Sequence, residues 1–336
     1  MIERIYLDEA GNTLPYGNLA REACLLEAVG VGECILYLWQ NQRTVVIGRN
    51  QNAWKECRME QLEADGGHLV RRLSGGGAVY HDLGNLNFTF LVREEDYDVS
   101  RQLEVLVGAV NRLGIHAEKT GRNDVTVDGR KISGNAFYRA DGHCYHHGTI
   151  LIDVDKASLS AYLNVSAAKL RSKGVDSVKA RVANLTDFRP GVTVEQVRQA
   201  LAGAFGEVYG LSPERFPEER LDRAVLSRQE ETFRSWDWRF GRKIPFTSEL
   251  SERYDWGEVC LQFAVNGGIV TMCRPIPTRW IRSWLPRCRG FSRGAGTVGR
   301  RLRRRWGSSR SRTAVQNGWC RTYKGCSWSG APVRAA

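Results

Sequence analysis

Between two strand-like stretches the chain carries the run Arg71-Arg72-Leu73-Ser74-Gly75-Gly76-Gly77-Ala78-Val79-Tyr80-His81-Asp82-Leu83-Gly84-Asn85-Leu86-Asn87-Phe88. Three glycines in succession have no Cβ atoms, so their N–H groups can close on an anion, and two adjacent arginines can hold phosphate or carboxylate oxygens. The pattern points to a nucleotide or acyl-phosphate site; the alternative is a glycine-rich hairpin beside a basic strand end.

The 336 residues fit one large domain plus a smaller one. The nine cysteines lack paired zinc-type spacing, apart from Cys320 and Cys326 with no matching upstream pair, and read as reduced thiols. The opening Met1 to Asp8 carries acids early, and no apolar run approaches the ~20 residues of a membrane helix, so a soluble, cytoplasmic protein is expected. The net charge of +12 is local. Residues 271–336 contain fifteen Arg, one Lys and no acid, leaving 33 basic against 37 acidic residues, net −4, in the first 270.

Ile35-Leu36-Tyr37-Leu38-Trp39 and Thr44-Val45-Val46-Ile47 flank a polar turn and read as a buried hairpin. Asn52 caps an expected helix through Leu62, stopped by Gly66-Gly67; a strand from His68 to Leu73 then delivers the arginines. Asn87 to Val92 alternates as a strand, and Ser100 to Leu113 has helical spacing ended by Gly114. Further strands are expected at Asp124–Val127, Lys131–Ser133, Asn135–Arg139 and Tyr145–Ile152, with turns at Asp128-Gly129 and Asp141-Gly142. Thr193 and Gln196 form a capping box for a helix to Tyr209, and Pro213 to Arg228 reads as an exposed connector. Hairpins separated by lone helices argue an α+β fold with a mixed or antiparallel sheet and flanking helices.

Lys131 follows a tight turn and precedes Ser133-Gly134, so its stem is fixed while small neighbours leave room for a ligand. An ammonium there suits stabilisation of charge as a carboxylate attacks the α-phosphate of ATP; the alternative is a solvated hairpin lysine. Asp124 can hold Mg²⁺ against phosphate oxygens, or Asn123-Asp124 is turn chemistry. His146 and His147 fall on opposite strand faces, which argues against zinc: one lines the pocket while the other packs or meets solvent. Cys144 is a candidate thioester nucleophile, weakened because His143 lies on the other face.

The chain resembles the lipoate-protein ligases of the biotin/lipoate ligase superfamily, collinearly from about Ile5 to about Ile269. The motifs that carry the resemblance begin with Tyr16-Gly17-Asn18-Leu19-Ala20, Trp39-Gln40-Asn41, Thr44 to Asn52 and the Arg71 to Phe90 run. They continue with Gly121-Arg122-Asn123-Asp124, Lys131-Ile132-Ser133-Gly134, His146-His147-Gly148-Thr149 and Lys173-Gly174-Val175-Asp176-Ser177-Val178. The resemblance implies a fold like that of class II synthetases and a two-step reaction. Lipoate and ATP give lipoyl-adenylate and pyrophosphate, then a lysine of a lipoyl domain, on an E2 subunit or the glycine cleavage H protein, attacks and releases AMP. It implies that Arg72, Gly75, Gly76, Gly77, Ala78, Val79 and Tyr80 hold ATP, that Lys131 bridges lipoyl carbonyl and phosphate, and that Asp124 faces Mg²⁺ and phosphate. Arg71, Gly75, Gly76, His81, Asn85 and His147 then shape the lipoate or octanoate pocket, with Val45, Ile47 and Val79 lining the apolar slot for the dithiolane.

On this reading residues 1–245 form the catalytic domain and 246–270 the first strands of a small accessory domain. Residues 271–336 depart from the family as an Arg-rich segment, read as an out-of-frame or disordered continuation that disrupts that domain. Arg274 to Leu285 can be written in codons that, two bases over, spell Ala-Tyr-Ser-Asp-Ala-Met-Asp-Pro-Glu-Leu-Ala, a plausible strand end and acidic helix start. The rival for the tail is salt-dependent nucleic-acid binding through Arg and aromatic side chains. Rivals for the body are a cysteine-dependent octanoyl or lipoyl transferase without ATP, a biotin ligase, and a non-catalytic lipoate-binding module.

Overall fold

The computed structural model describes residues 1–120, 124–164 and 182–241 in full, and the backbone of 248–254, 257–266 and 269–277. The motif residues Gly121, Arg122 and Asn123, the stretch Lys173 to Val178 and the segment 278–336 lie outside the described residues.

Eight strands form the main sheet. In chain order they are β1 (Arg4–Glu9), β2 (Glu33–Trp39), β6 (Asn85–Arg93), β7 (Glu118–Thr120), β8 (Asp124–Val127), β9 (Arg130–Ala140), β10 (His143–Leu151) and β11 (Glu214–Arg215). Their spatial order is β11-β1-β2-β6-β10-β9-β8-β7. β1 lies parallel to both β11 and β2, and every other pairing is antiparallel, so the sheet is mixed, as the alternation of hairpins and lone helices predicts. The β8–β9 and β9–β10 connections use Asp128-Gly129 and Asp141-Gly142, all four with φ between 49° and 73°, the geometry of two-residue hairpin turns.

One face of this sheet is covered by α4 (Val99–Arg112), capped by Asp98, and α6 (Val194–Tyr209), which begins with the Thr193–Gln196 capping box. Leu103, Leu106, Val110, Leu201 and Phe205 of these helices pack with Leu36, Phe88, Phe90 and Ile150 of the sheet. The other face packs α1 (Pro15–Ala28), α7 (Arg223–Arg234) and a small sheet with order β4-β3-β5, formed by β3 (Thr44–Ile47), β4 (His68–Arg71) and β5 (Val79–His81). Behind the small sheet Val45, Ile47, Leu69 and Tyr80 pack with residues of α2 (Ala53–Glu56), α3 (Met59–Ala64) and α5 (Lys156–Tyr162). The body is thus layered, and β6, covered on both sides, is buried from Asn85 to Val92. A separate three-stranded sheet orders β12 (Ser248–Tyr254), β13 (Gly257–Asn266) and β14 (Ile269–Pro277), so regular backbone continues past residue 271. Among the described residues no helix is long and apolar enough to cross a membrane.

Four local expectations change. Ile35–Trp39 and Thr44–Ile47 are no hairpin: β2 pairs with β1 and β6, while β3 pairs with β4 and β5 in the small sheet. The helix capped by Asn52 breaks at Cys57, which turns extended to bridge Leu163, and resumes as α3. Lys131–Ser133 and Asn135–Arg139 are one strand. The expected connector from Pro213 contains β11, buried Phe216 and Leu221, and the start of α7, because burying those apolar side chains favours order over a solvated loop.

Candidate active site

β4 ends at Arg71 and β5 begins at Val79, so the glycine run is the loop between them. The Arg72 guanidinium fills the inside of that loop: Nε donates to Ser74 Oγ (3.0 Å), Nη2 to the carbonyls of Gly75 (2.7 Å) and Gly77 (2.8 Å), and Nη1 to Val46 O (3.2 Å). Burial lowers the Arg72 pKa to about 10, so the group stays cationic at neutral pH. With carbonyls turned inward, the N–H groups of Gly75, Gly76 and Gly77 donate no hydrogen bond among the described residues. Gly76 sits at φ +98°, a region closed to most side chains, and a Cβ on Gly48 would lie 2.3 Å from Gly76 O, so the loop folds flat against Gly48. A Cβ on Gly75 would meet nothing within 4 Å.

The loop is tied to the main sheet through buried side chains. Ser74 Oγ lies 2.7 Å from His147 Nε2, and His147 Nδ1 lies 2.8 Å from Glu22 Oε1. Glu22 Oε1 also accepts from Thr89 Oγ1 (2.7 Å), which accepts from Trp39 Nε1 (3.0 Å).

Register lays out the sheet face beneath the loop. Thr149 pairs with Asn87 and Gly134, His147 with Thr89 and Ala136, and Asn87 with Trp39, which places these residues on one side. Across β8 and β9, Val125 faces Ser133 but Thr126 faces Lys131, so Ile132 is an extra, bulged residue. The bulge re-aims Lys131 onto the face of Gly134 and Thr149, a Cβ on Gly134 being 3.6 Å from Lys131 Cε. There Lys131 Nζ donates to Asp124 Oδ1 at 2.5 Å, both side chains being partly exposed. Small residues around a half-exposed ammonium leave it reachable by an anion.

His147 lies on this face, whereas His146 points to the helix-covered core, between Gln102 and Asn135. Burial pushes the His146 pKa down to about 3, keeping it neutral. His81 and Asn85 are buried, with His81 Nε2 and Asn85 Oδ1 lacking hydrogen-bond partners among the described residues. The His81 pKa falls to about 3 through burial, then repulsion by Arg72.

Arg71 is buried and donates to the carbonyls of Gly48, Arg49 and Gln51 and of Trp238 and Arg239, so it shapes the site by joining two backbone segments. Arg72 faces the loop interior. Val45 and Ile47 are fully buried on the β3 face opposite Val46 and Val79. Tyr80, opposite Val45, packs its ring 5.4 Å from that of Tyr162. Ala78 is partly buried against the same cluster. Cys144 lies buried on the helix-covered side of the sheet, and burial raises its thiol pKa, which suits an inert thiol. Ser74 and Glu22 were not singled out by sequence reasoning: Ser74 reads as a spacer in the run, and Glu22 as one acid on a helix.

Among the described residues no three His, Cys, Asp or Glu side chains converge as a metal site. Asp124 supplies a lone carboxylate, enough for Mg²⁺ only where phosphate oxygens and water complete the shell.

The lipoyl protein ligase A/B catalytic domain model matches residues 14–206. The Plasmodium falciparum LipL1 structure in complex with lipoate is 29% identical over 82% of this chain and 84% of its own, with a TM-score of 0.66. The bipartite lipoate protein ligase of Thermoplasma acidophilum, described with its E2 lipoyl domain, is 31% identical over 73% of this chain and 99% of its own, at 0.63. Lipoate-protein ligase A bound with ATP is 29% identical over 72% and 99%, at 0.61. With more than half of its length matched to that catalytic domain and a mixed sheet of the same fold, the chain belongs to the lipoate-protein ligases of the biotin/lipoate ligase superfamily.

Proposed function

We propose that the protein activates lipoate with ATP and transfers the lipoyl group to a lysine of a lipoyl domain, in the cytoplasm. The observation that carries this reading is the bulge-aimed Lys131 ammonium, held by Asp124 on the sheet face below a loop whose glycine N–H groups lack partners among the described residues. In the first step a lipoate carboxylate oxygen attacks the α-phosphorus of ATP, the bond to the bridging oxygen breaks, and pyrophosphate leaves. Negative charge grows on the phosphoryl oxygens, where Lys131 and the N–H groups of Gly75 to Gly77 stabilise it. Ala78, Val79 and Tyr80 continue the cradle as strand. Asp124 would hold Mg²⁺, which would neutralise phosphate charge. In the second step the neutral amine of the acceptor lysine attacks the lipoyl carbonyl, the mixed anhydride breaks, and AMP leaves.

ATP use is supported by the ATP complex of lipoate-protein ligase A, and a lipoyl-domain acceptor by the E2 lipoyl domain described with the Thermoplasma ligase. The acceptors are E2 subunits or the H protein, and octanoate is a second acyl substrate. A transferase working through Cys144 is disfavoured by that thiol's burial on the opposite face. Purified protein with lipoate, ATP, Mg²⁺ and an apo lipoyl domain is expected to yield one pyrophosphate and one AMP per lipoylated lysine. Acyl transfer from a thioester donor without ATP, abolished by Cys144→Ala, overturns the reading.

A further inference from the structure

We propose that Glu22, acting through His147 and Ser74, is a positioning residue that sets the shape of the glycine loop; the proposal rests on that loop binding nucleotide. The argument is one of donors and acceptors. Glu22 Oε1, a carboxylate oxygen, only accepts, so the His147 ring proton sits on Nδ1, facing it. In the neutral ring this leaves Nε2 to accept from the Ser74 hydroxyl, whose oxygen accepts in turn from Arg72 Nε. Thr89 and Trp39 complete the order from the other side, Trp39 Nε1 donating to Thr89 and Thr89 to the same Glu22 oxygen. The carboxylate, which only accepts, sets the direction on both sides of it.

The relay joins a carboxylate on α1 to a guanidinium inside the loop, and Arg72, Ser74, His147 and Glu22 are all buried. Buried polar chains of this kind are specific when every member is satisfied and costly when one is not. Its consequence lies in the loop: Arg72, oriented by Ser74, pulls the Gly75 and Gly77 carbonyls inward and leaves the intervening N–H groups for phosphate. Losing either end lets the guanidinium turn, and the carbonyls with it.

The test uses the full chain and ATP alone, without lipoate, by titration calorimetry. Glu22→Gln and Ser74→Ala are each expected to weaken ATP binding about tenfold, and the double variant no further, because two breaks in one relay are not additive. Additive losses, or binding unchanged in both variants, overturn the proposal. Absence of ATP binding by the unmodified protein instead overturns the nucleotide reading of the loop. Nitrogen-15 NMR of the unmodified protein gives a second readout independent of variant folding: His147 is expected as the Nδ1–H tautomer, and an Nε2–H signature breaks the relay as drawn.

Discussion

Arg71 and Trp238 exchange hydrogen bonds in both directions: Arg71 Nε donates to Trp238 O at 2.8 Å, and Trp238 Nε1 donates to Arg71 O at 2.8 Å. Trp238 belongs to α8 (Trp236–Phe240), 167 residues along the chain, and the Arg49 guanidinium stacks over its ring at 4.1 Å. The base of the glycine loop is therefore fastened to α8 by one arginine.

Arg71→Ala removes donors to five carbonyls, the buried one of Gly48 and the partly buried ones of Arg49, Gln51, Trp238 and Arg239. A loss of about 3 kcal/mol in unfolding free energy is expected. Arg71→Lys recovers little of it, because an ammonium lacks the planar fork. Urea titration checks both, and a loss below ~1 kcal/mol for the alanine variant counts against the clamp.

Adjacent glycines of the loop separate fold from function. Gly76→Ala puts a methyl at φ +98° and 2.9 Å from Arg72 Nη2, for an expected cost of about 2 kcal/mol. Gly75→Ala meets open space, so stability stays within ~0.5 kcal/mol while a phosphate is kept from the main chain and KM for ATP rises severalfold. An unchanged KM in Gly75→Ala means that the ligand approaches elsewhere.

Lys131→Met tests the ammonium. Lys131 and Asp124 are each more than a third exposed, so their ion pair contributes little to stability and unfolding is expected to shift by no more than ~0.5 kcal/mol. Pyrophosphate exchange with lipoate and ATP is expected to fall about a thousandfold. Asp124→Asn, which leaves the ammonium in place, falls less. Equal losses in the two variants indicate that the pair acts as one unit.

Much of this was legible along the chain, and what was missed has a common cause. Asp128-Gly129, Asp141-Gly142, Asn52 and the Thr193–Gln196 box act within a few residues, so their turns and caps follow from local chemistry. Lys131 and Asp124 also lie close in sequence, one hairpin apart. Glu22 and His147 are 125 residues apart, and nothing around a helical glutamate announces a buried partner at that distance. The faces of β3 are hidden for a related reason. Val45, Val46 and Ile47 are all buried, so composition cannot say which of them shares a face with Val79; the pairing across the strands, Val46 with Val79, decides it.

Acid is expected to destabilise the fold through His81 and His146. Both have pKa values lowered by burial to about 3, while the unfolded chain titrates near 6.5. Above pH ~6.5 both states are neutral at these positions and neither histidine contributes a pH dependence. As pH falls below that value the unfolded chain takes up protons that the folded chain refuses, so stability drops by up to about 1.4 kcal/mol per pH unit for each histidine, continuing toward pH 3. Urea midpoints measured from pH 7 to pH 5 should therefore decline. His146→Gln should lower the midpoint at pH 7, since its ring packs among Phe88, Phe90 and Phe137, yet flatten the decline by one proton's worth. A decline of unchanged slope in that variant shows that His146 is charged in the fold or that other groups carry the acid sensitivity.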